Sequence, residues 1–178
     1  MTDAELADRC NKLELLLVDV DGVLTDGTIA IDDHGVETKH FHVRDGSAIV
    51  AWRSLGRRVA ILSGRRARAV DHRAADLGIA PVIQGASDKG PPFRAMLAEL
   101  GLVAEQVCYV GDDLADLPVL GVVGLAACPS DAAPEVIAAV HLVAAERGGR
   151  GAVRGIVETI LKVRGEWDGV VARSRGLA

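Results

Sequence analysis

An α/β domain built on a doubly wound parallel sheet is the fold class this sequence predicts, on three observations. Short β-prone apolar runs alternate with stretches of helical period from Leu13 onward. The chain has 178 residues, 49% hydrophobic and 25% charged, enough to bury one sizeable core and hardly two. Polar and acidic residues stand directly after several apolar runs, where open α/β sheets bind their ligands.

LELLLVDV (13–20) opens the alternation, followed by VAIL (59–62), PVI (81–83), VCYV (107–110), VGL (123–125) and HLV (141–143). Between them, segments around 45–55, 67–77, 90–100, 113–120, 132–139 and 151–163 carry helical period. Right-handed crossovers lay such helices on both sheet faces. One segment breaks the rhythm. Residues 28–43, TIAIDDHGVETKHFHV, alternate apolar and polar positions around Asp32-Asp33-His34-Gly35, the pattern of a small inserted β-hairpin. Ile29, Ile31, Val36 and Phe41 leave apolar surface on an arm that is marginal alone, so it is expected to pack on a partner or its own domain. VRGEWDGVVARSRGLA, with three glycines and little period, predicts a mobile tail over 165–178 and a single domain over 1–164.

Composition excludes several functions. Twenty Lys+Arg against 25 Asp+Glu give a net charge of −5 with no basic run, which argues against nucleic-acid binding. No apolar stretch approaches the ~18 residues of a membrane span, and the polar start MTDAELADRC is unlike a secretory signal, so the expected compartment is the cytoplasm. Cys10, Cys108 and Cys128 lack paired metal-ligand spacing and read as buried fillers.

Four strand ends carry candidate chemistry. Asp19 and Asp21 follow an apolar run, and residues two apart on an extended chain share a face, so their carboxylates can converge. The alternative is an Asp21-Gly22 turn with Asp19 as its cap, although a carboxylate extending so apolar a run needs a partner. Ser63 ends the second run before Gly64; the alternative is a helix N-cap. Lys89 stands at a helix entrance that favours anions, either as part of an anion-binding corner or as a solvated surface lysine. Asp112, Asp113 and Asp116 crowd one strand exit, with repulsion of roughly 4 kcal/mol per pair at about 4 Å and an effective dielectric near 20. A helix N-terminus accounts for Asp113 or Asp116, but not for Asp112 as well. If Asp19, Asp21 and Asp112 meet, they call for a hard divalent cation such as Mg2+, with Ser63 and Lys89 left to hold a phosphate.

These motifs, in this order, resemble those of the haloacid dehalogenase superfamily of phosphotransferases. From about Leu15 to Leu161 the chain is similar to the 3-deoxy-D-manno-octulosonate 8-phosphate phosphatase family, through DVDGVLTDG, HVRDG, SGR, QGASDKG, GDDLADLPV and GGRGAVR. The resemblance implies a Rossmann-like domain with Asp19 as nucleophile, Asp21 as general acid and then base, and Ser63 and Lys89 on the phosphate. It implies Mg2+ held by the Asp19 carboxylate, the Asp21 main-chain carbonyl and Asp112, with Asp113 and Asp116 orienting those ligands. It points to Arg44, Asp45, Gly46, Arg65 and Arg73, together with Lys89, as substrate-binding residues. A guanidinium suits the carboxylate of a 3-deoxy-2-ketoacid, and arginine at 65, where phosphatases for nine-carbon ketoacids tend to be acidic, favours the eight-carbon sugar. Two positions depart from the family pattern: Val50 replaces an arginine of some relatives, and His141, read as a packed histidine, stands where an acid is common.

The spacing from Asp19 to Ser63 and from Lys89 to Asp112 leaves no room for a cap domain. Relatives form tetramers in which a neighbouring subunit closes the site, so a homotetramer is expected, with Arg147, Arg150 and Arg154 as candidates for that closure. The alternatives are a nine-carbon ketoacid 9-phosphate phosphatase, a broad sugar phosphatase and a catalytically silent module of the same fold. A signalling receiver domain has its acidic pair first and its phosphoacceptor in the middle, the reverse of the order here.

Overall fold

Thr2 starts the first helix, α1 (Asp3–Asn11), by a reciprocal cap in the computed structural model, which describes residues 1–176. Its hydroxyl accepts from the Glu5 N–H at 3.3 Å, and the Glu5 carboxylate accepts from the Thr2 N–H at 2.8 Å. The chain continues through β1 (Leu15–Val18), β2 (Ala30–Ile31), β3 (Glu37–Thr38), α2 (Val43–Ser54), β4 (Arg58–Ser63), α3 (Arg68–Leu77) and β5 (Val82–Gln84). Then come α4 (Gly90–Leu100), β6 (Val107–Val110), a 3-10 turn Leu114–Asp116 leading into α5 (Leu117–Leu120), and β7 (Leu125–Cys128). The remainder is α6 (Pro134–Ala139), β8 (Leu142–Val143), α7 (Ala152–Val163) and α8 (Trp167–Ser174).

Six strands form a parallel sheet in the order β5-β4-β1-β6-β7-β8. The chain winds outward on one side of β1 to β5, then returns to the other side at β6. That reversal opens a crevice beyond the carboxyl end of β1, between β4 and β6. Alternation along the central strand builds two cores. Leu16 and Val18 face Ile49, Trp52, Val70, Ile156 and Ile160 of α2, α3 and α7. Leu15 and Leu17 face Phe93, Met96, Leu120 and Val136 of α4, α5 and α6. All three cysteines are free and buried, as fillers should be.

The structure adds detail to three expectations. The hairpin is shorter than residues 28–43: Ala30–Ile31 pair with Glu37–Thr38, and α2 begins at Val43. The strand expected over 123–125 lies at Leu125–Cys128, because Gly124 packs against the Glu105 carbonyl, where a Cβ would come within 2.0 Å. The segment expected as a mobile tail over 165–178 contains α8, whose Trp167 and Val170 pack on the first core and whose Trp167 ring lies 4.7 Å from the Arg154 guanidinium. Leu177 and Ala178, also in that tail, lie outside the described residues.

Candidate active site

β1 ends where the chemistry begins. The Asp19 N–H donates to the Val110 carbonyl at 3.0 Å, so the parallel ladder runs one residue past the strand and carries the Asp19 side chain into the crevice. Lys89, only 2% exposed, puts its Nζ 3.0 Å from Asp19 Oδ2, 2.6 Å from Asp116 Oδ1 and 3.2 Å from the Tyr109 hydroxyl. It is an inward-pointing cation, and the solvated alternative is excluded. Asp116 is saturated: Oδ1 also accepts from the Tyr109 hydroxyl, and Oδ2 accepts from the N–H groups of Asp112 and Asp113 at 2.8 and 3.1 Å. Asp113 caps the 3-10 turn through the Leu114 N–H at 2.8 Å.

The oxygens left over are informative. Asp19 Oδ1, Asp21 Oδ2 and Asp112 Oδ1 are buried and lack a hydrogen-bond partner. Burial, reinforced by Asp19 and Asp116, pushes the Asp112 carboxyl up to about 8. Burial also raises Asp19, against the opposing pull of Lys89. Ligand oxygens of Asp19, Asp112 and Asp116 lie within 4.8 Å of one another. Because Asp116 is spent on Lys89, Tyr109 and two amides, the atoms free for a cation belong to Asp19 and Asp112. An all-oxygen, doubly anionic pocket fits a hard divalent ion. Gly22, at φ +81°, makes room for the Asp112 carboxylate: a Cβ there would sit 1.9 Å from Asp112 Oδ2.

Ser63, 2% exposed at the end of β4, accepts from the Arg65 N–H at 3.4 Å. It does not cap α3: that cap position is Ala67, whose N–H goes to Gln84 Oε1 at 2.8 Å. Asp19, Asp21, Ser63, Arg65, Lys89 and Asp112 thus line one cavity of about 280 Å3. Gly148 and Gly149 brace the segment beside it, from Gly22 to Asp26. The Gly149 N–H donates to the Val23 carbonyl at 2.9 Å, and a Cβ on Gly148 would lie 1.8 Å from the Gly22 carbonyl oxygen.

Of the expected substrate residues, only Arg65 and Lys89 line this cavity. Asp45 is buried and accepts from the N–H groups of Gly151 and Arg154 at 3.2 and 2.8 Å, capping α7. Gly46 leaves space for the Arg73 guanidinium, which a Cβ would approach to 2.2 Å, and Arg73 pairs with Asp76 at 2.6 Å. Arg44 lines a separate groove with Glu146, Arg154 and Lys162. Val50 is exposed, and His141 Nδ1 accepts from the Ala126 N–H at 2.9 Å.

Sequence reasoning missed Tyr109, Glu37 and Lys39. The Lys39 side chain, 2% exposed, hydrogen-bonds Asp21 Oδ1 and lies 2.8 Å from Glu37, which also takes Arg65 at 3.0 Å. The signal was present: Glu37 and Lys39 are two apart in an alternating segment, so they share a face.

In class this is a haloacid dehalogenase-like hydrolase, and the family model of that description matches residues 39–124. The chain is 41% identical to the 3-deoxy-D-manno-octulosonate 8-phosphate phosphatase KdsC of Yersinia pestis, over 96% of this chain and 91% of that one. It is 42% identical to KdsC of Escherichia coli K12, over 93% and 88%. A crystal structure of the phosphatase from Moraxella catarrhalis, in complex with magnesium ion, phosphate ion and KDO, superimposes with a TM-score of 0.92 at 35% identity, covering 95% of this chain and 97% of that one. The chain belongs to the 3-deoxy-D-manno-octulosonate 8-phosphate phosphatase family.

Proposed function

We propose that the protein is a Mg2+-dependent phosphoric monoester hydrolase that converts 3-deoxy-D-manno-octulosonate 8-phosphate to the free sugar acid and phosphate, in lipopolysaccharide precursor biosynthesis. The observation that carries this reading is the pair of free, buried oxygens on Asp19 and Asp112 beside a lysine held on Asp19. Family membership supports it, as does the relative whose crystal structure holds magnesium, phosphate and KDO together.

In this reading Ser63 Oγ and Lys89 Nζ hold the phosphoryl oxygens. An Asp19 carboxylate oxygen attacks phosphorus, and the bond from phosphorus to the sugar oxygen breaks while Asp21 gives that oxygen its proton. Asp21, now a carboxylate, takes a proton from water as the water oxygen attacks phosphorus; the bond to Asp19 breaks and inorganic phosphate leaves. Lys89 neutralises charge at both stages from a position already desolvated, where its field is strongest. Mg2+, held by the carboxylates of Asp19 and Asp112 and the Asp21 carbonyl, supplies the positive charge that offsets repulsion between the attacking carboxylate and the dianionic phosphate.

The same reading takes the active form as a cytoplasmic homotetramer. Ile29, Ile31 and Val36 leave apolar surface on the arm, and among the described residues no cap domain is inserted over the cavity. Among the described residues no helix is long and apolar enough to cross a membrane.

The deciding experiment is phosphate release from 3-deoxy-D-manno-octulosonate 8-phosphate, its nine-carbon 9-phosphate analogue and simple sugar phosphates, with Mg2+ or EDTA. Preference for the eight-carbon ester, abolished by EDTA and by Asp19→Asn, is expected. Equal slow turnover of all esters refutes the substrate assignment, and no turnover refutes the enzyme.

A further inference from the structure

The hairpin delivers a buried charge to the active site. Lys39 follows β3, and its Nζ is enclosed between Asp21 and Glu37. Burying an ammonium is costly unless carboxylates surround it, and Glu37 alone would neutralise it. Yet the closest partner is Asp21 Oδ1. That bond leaves Asp21 Oδ2 as the one oxygen of this side chain without a hydrogen-bond partner, in a residue that lines the cavity. Arg65 approaches Oδ2 only to 3.9 Å, because Glu37 draws its guanidinium to 3.0 Å. Glu37 therefore holds both cations, one on each side of the Asp21 carboxylate.

We infer that Lys39 is a positioning residue for the reaction: by occupying Oδ1 it fixes the Asp21 side chain so that Oδ2 is the atom exchanging a proton with the leaving oxygen. The inference rests on the reading of Asp21 as general acid and gives the arm a role inside its own subunit. A misplaced acid harms esters unequally. An alkyl leaving oxygen needs its proton during bond cleavage, whereas an aryl oxygen departs readily without one. A contact that merely stiffened the arm would affect both esters alike.

The test compares kcat/KM, which covers steps up to departure of the alcohol, for the eight-carbon sugar phosphate and for p-nitrophenyl phosphate. Lys39→Met is expected to lower the sugar-phosphate value about 100-fold and the aryl value less than about tenfold. Inhibition by inorganic phosphate should stay within about twofold, since Ser63 and Lys89 are untouched. Lys39→Arg should recover most of the loss. If Lys39→Met does not fold, Glu37→Gln, which retains the lysine, should show a smaller loss with the same bias towards the alkyl ester. Equal losses on both esters, loss of phosphate inhibition, or unchanged kinetics would overturn the inference. If the wild type ignores the eight-carbon ester but cleaves another sugar phosphate, the substrate assignment fails, and the same comparison on that ester still decides Lys39. A wild type inactive on every ester overturns both.

Discussion

Asp112 shows how one carboxyl of the proposed metal site ties stability to pH. Burial and the neighbouring carboxylates raise it from 3.8 to about 8 in the metal-free fold, so between those values the folded protein binds a proton that the unfolded chain releases. Its contribution to stability is fully present below about 4 and is lost as pH rises through about 8. Metal-free protein is therefore expected to melt lower at pH 8 than at pH 5, and Mg2+ should restore the difference. Asp112→Asn should melt higher than wild type in EDTA at pH 8 and gain nothing from Mg2+, as read by thermal denaturation. Asp45 makes the opposite case, a motif residue whose observed work is structural. Asp45→Ala leaves the N–H groups of Gly151 and Arg154 without their acceptor and is expected to cost about 1–3 kcal/mol in urea denaturation.

At the scale of elements, the loop before α7 shapes the segment that follows β1. Gly148 and Gly149 press against the backbone of Gly22, Val23 and Thr25, so the segment after β1 takes its shape from residues more than a hundred positions away. Gly148→Ala would drive a methyl group into the Gly22 carbonyl, and a loss of kcat of at least about tenfold is expected in a steady-state assay, with a lowered melting temperature. Neither terminal helix turns a continuous apolar stripe inward, so neither carries a helical period in the sequence. α1 buries only Cys10, and α8 docks through Trp167 and Val170. Trp167→Ala removes that packing and the Arg154 stack, and should cost about 1–2 kcal/mol by chemical denaturation.

For the whole molecule, the arm joins two demands. Its base sets Lys39 and Glu37 against Asp21 and Arg65, which line the cavity, and its tip presents Ile31 at 60% and Val36 at 58% exposure. Phe41, by contrast, packs on the first core and anchors the arm. Ile31→Lys combined with Val36→Glu charges the tip. Light scattering is expected to report a tetramer for wild type and smaller species for the double variant, with a raised KM for the sugar ester. A monomeric wild type of full activity would refute the assembly.

The parallel sheet and the residues at four strand ends, Asp19, Ser63, Lys89 and Asp112 among them, are legible in the order of apolar runs and the polar residues that follow them. Apolar period and position after a strand are local properties, and the switch point of the sheet gathers those ends without further instruction. Only the tertiary structure decided what Asp45, Gly46, Arg73 and Lys39 touch. Asp45 meets Arg154 across 109 residues and Lys39 meets Asp21 across 18, through contacts set by how helices and arm pack on the sheet. A local pattern names a residue's face, but the partner waiting on that face belongs to another element.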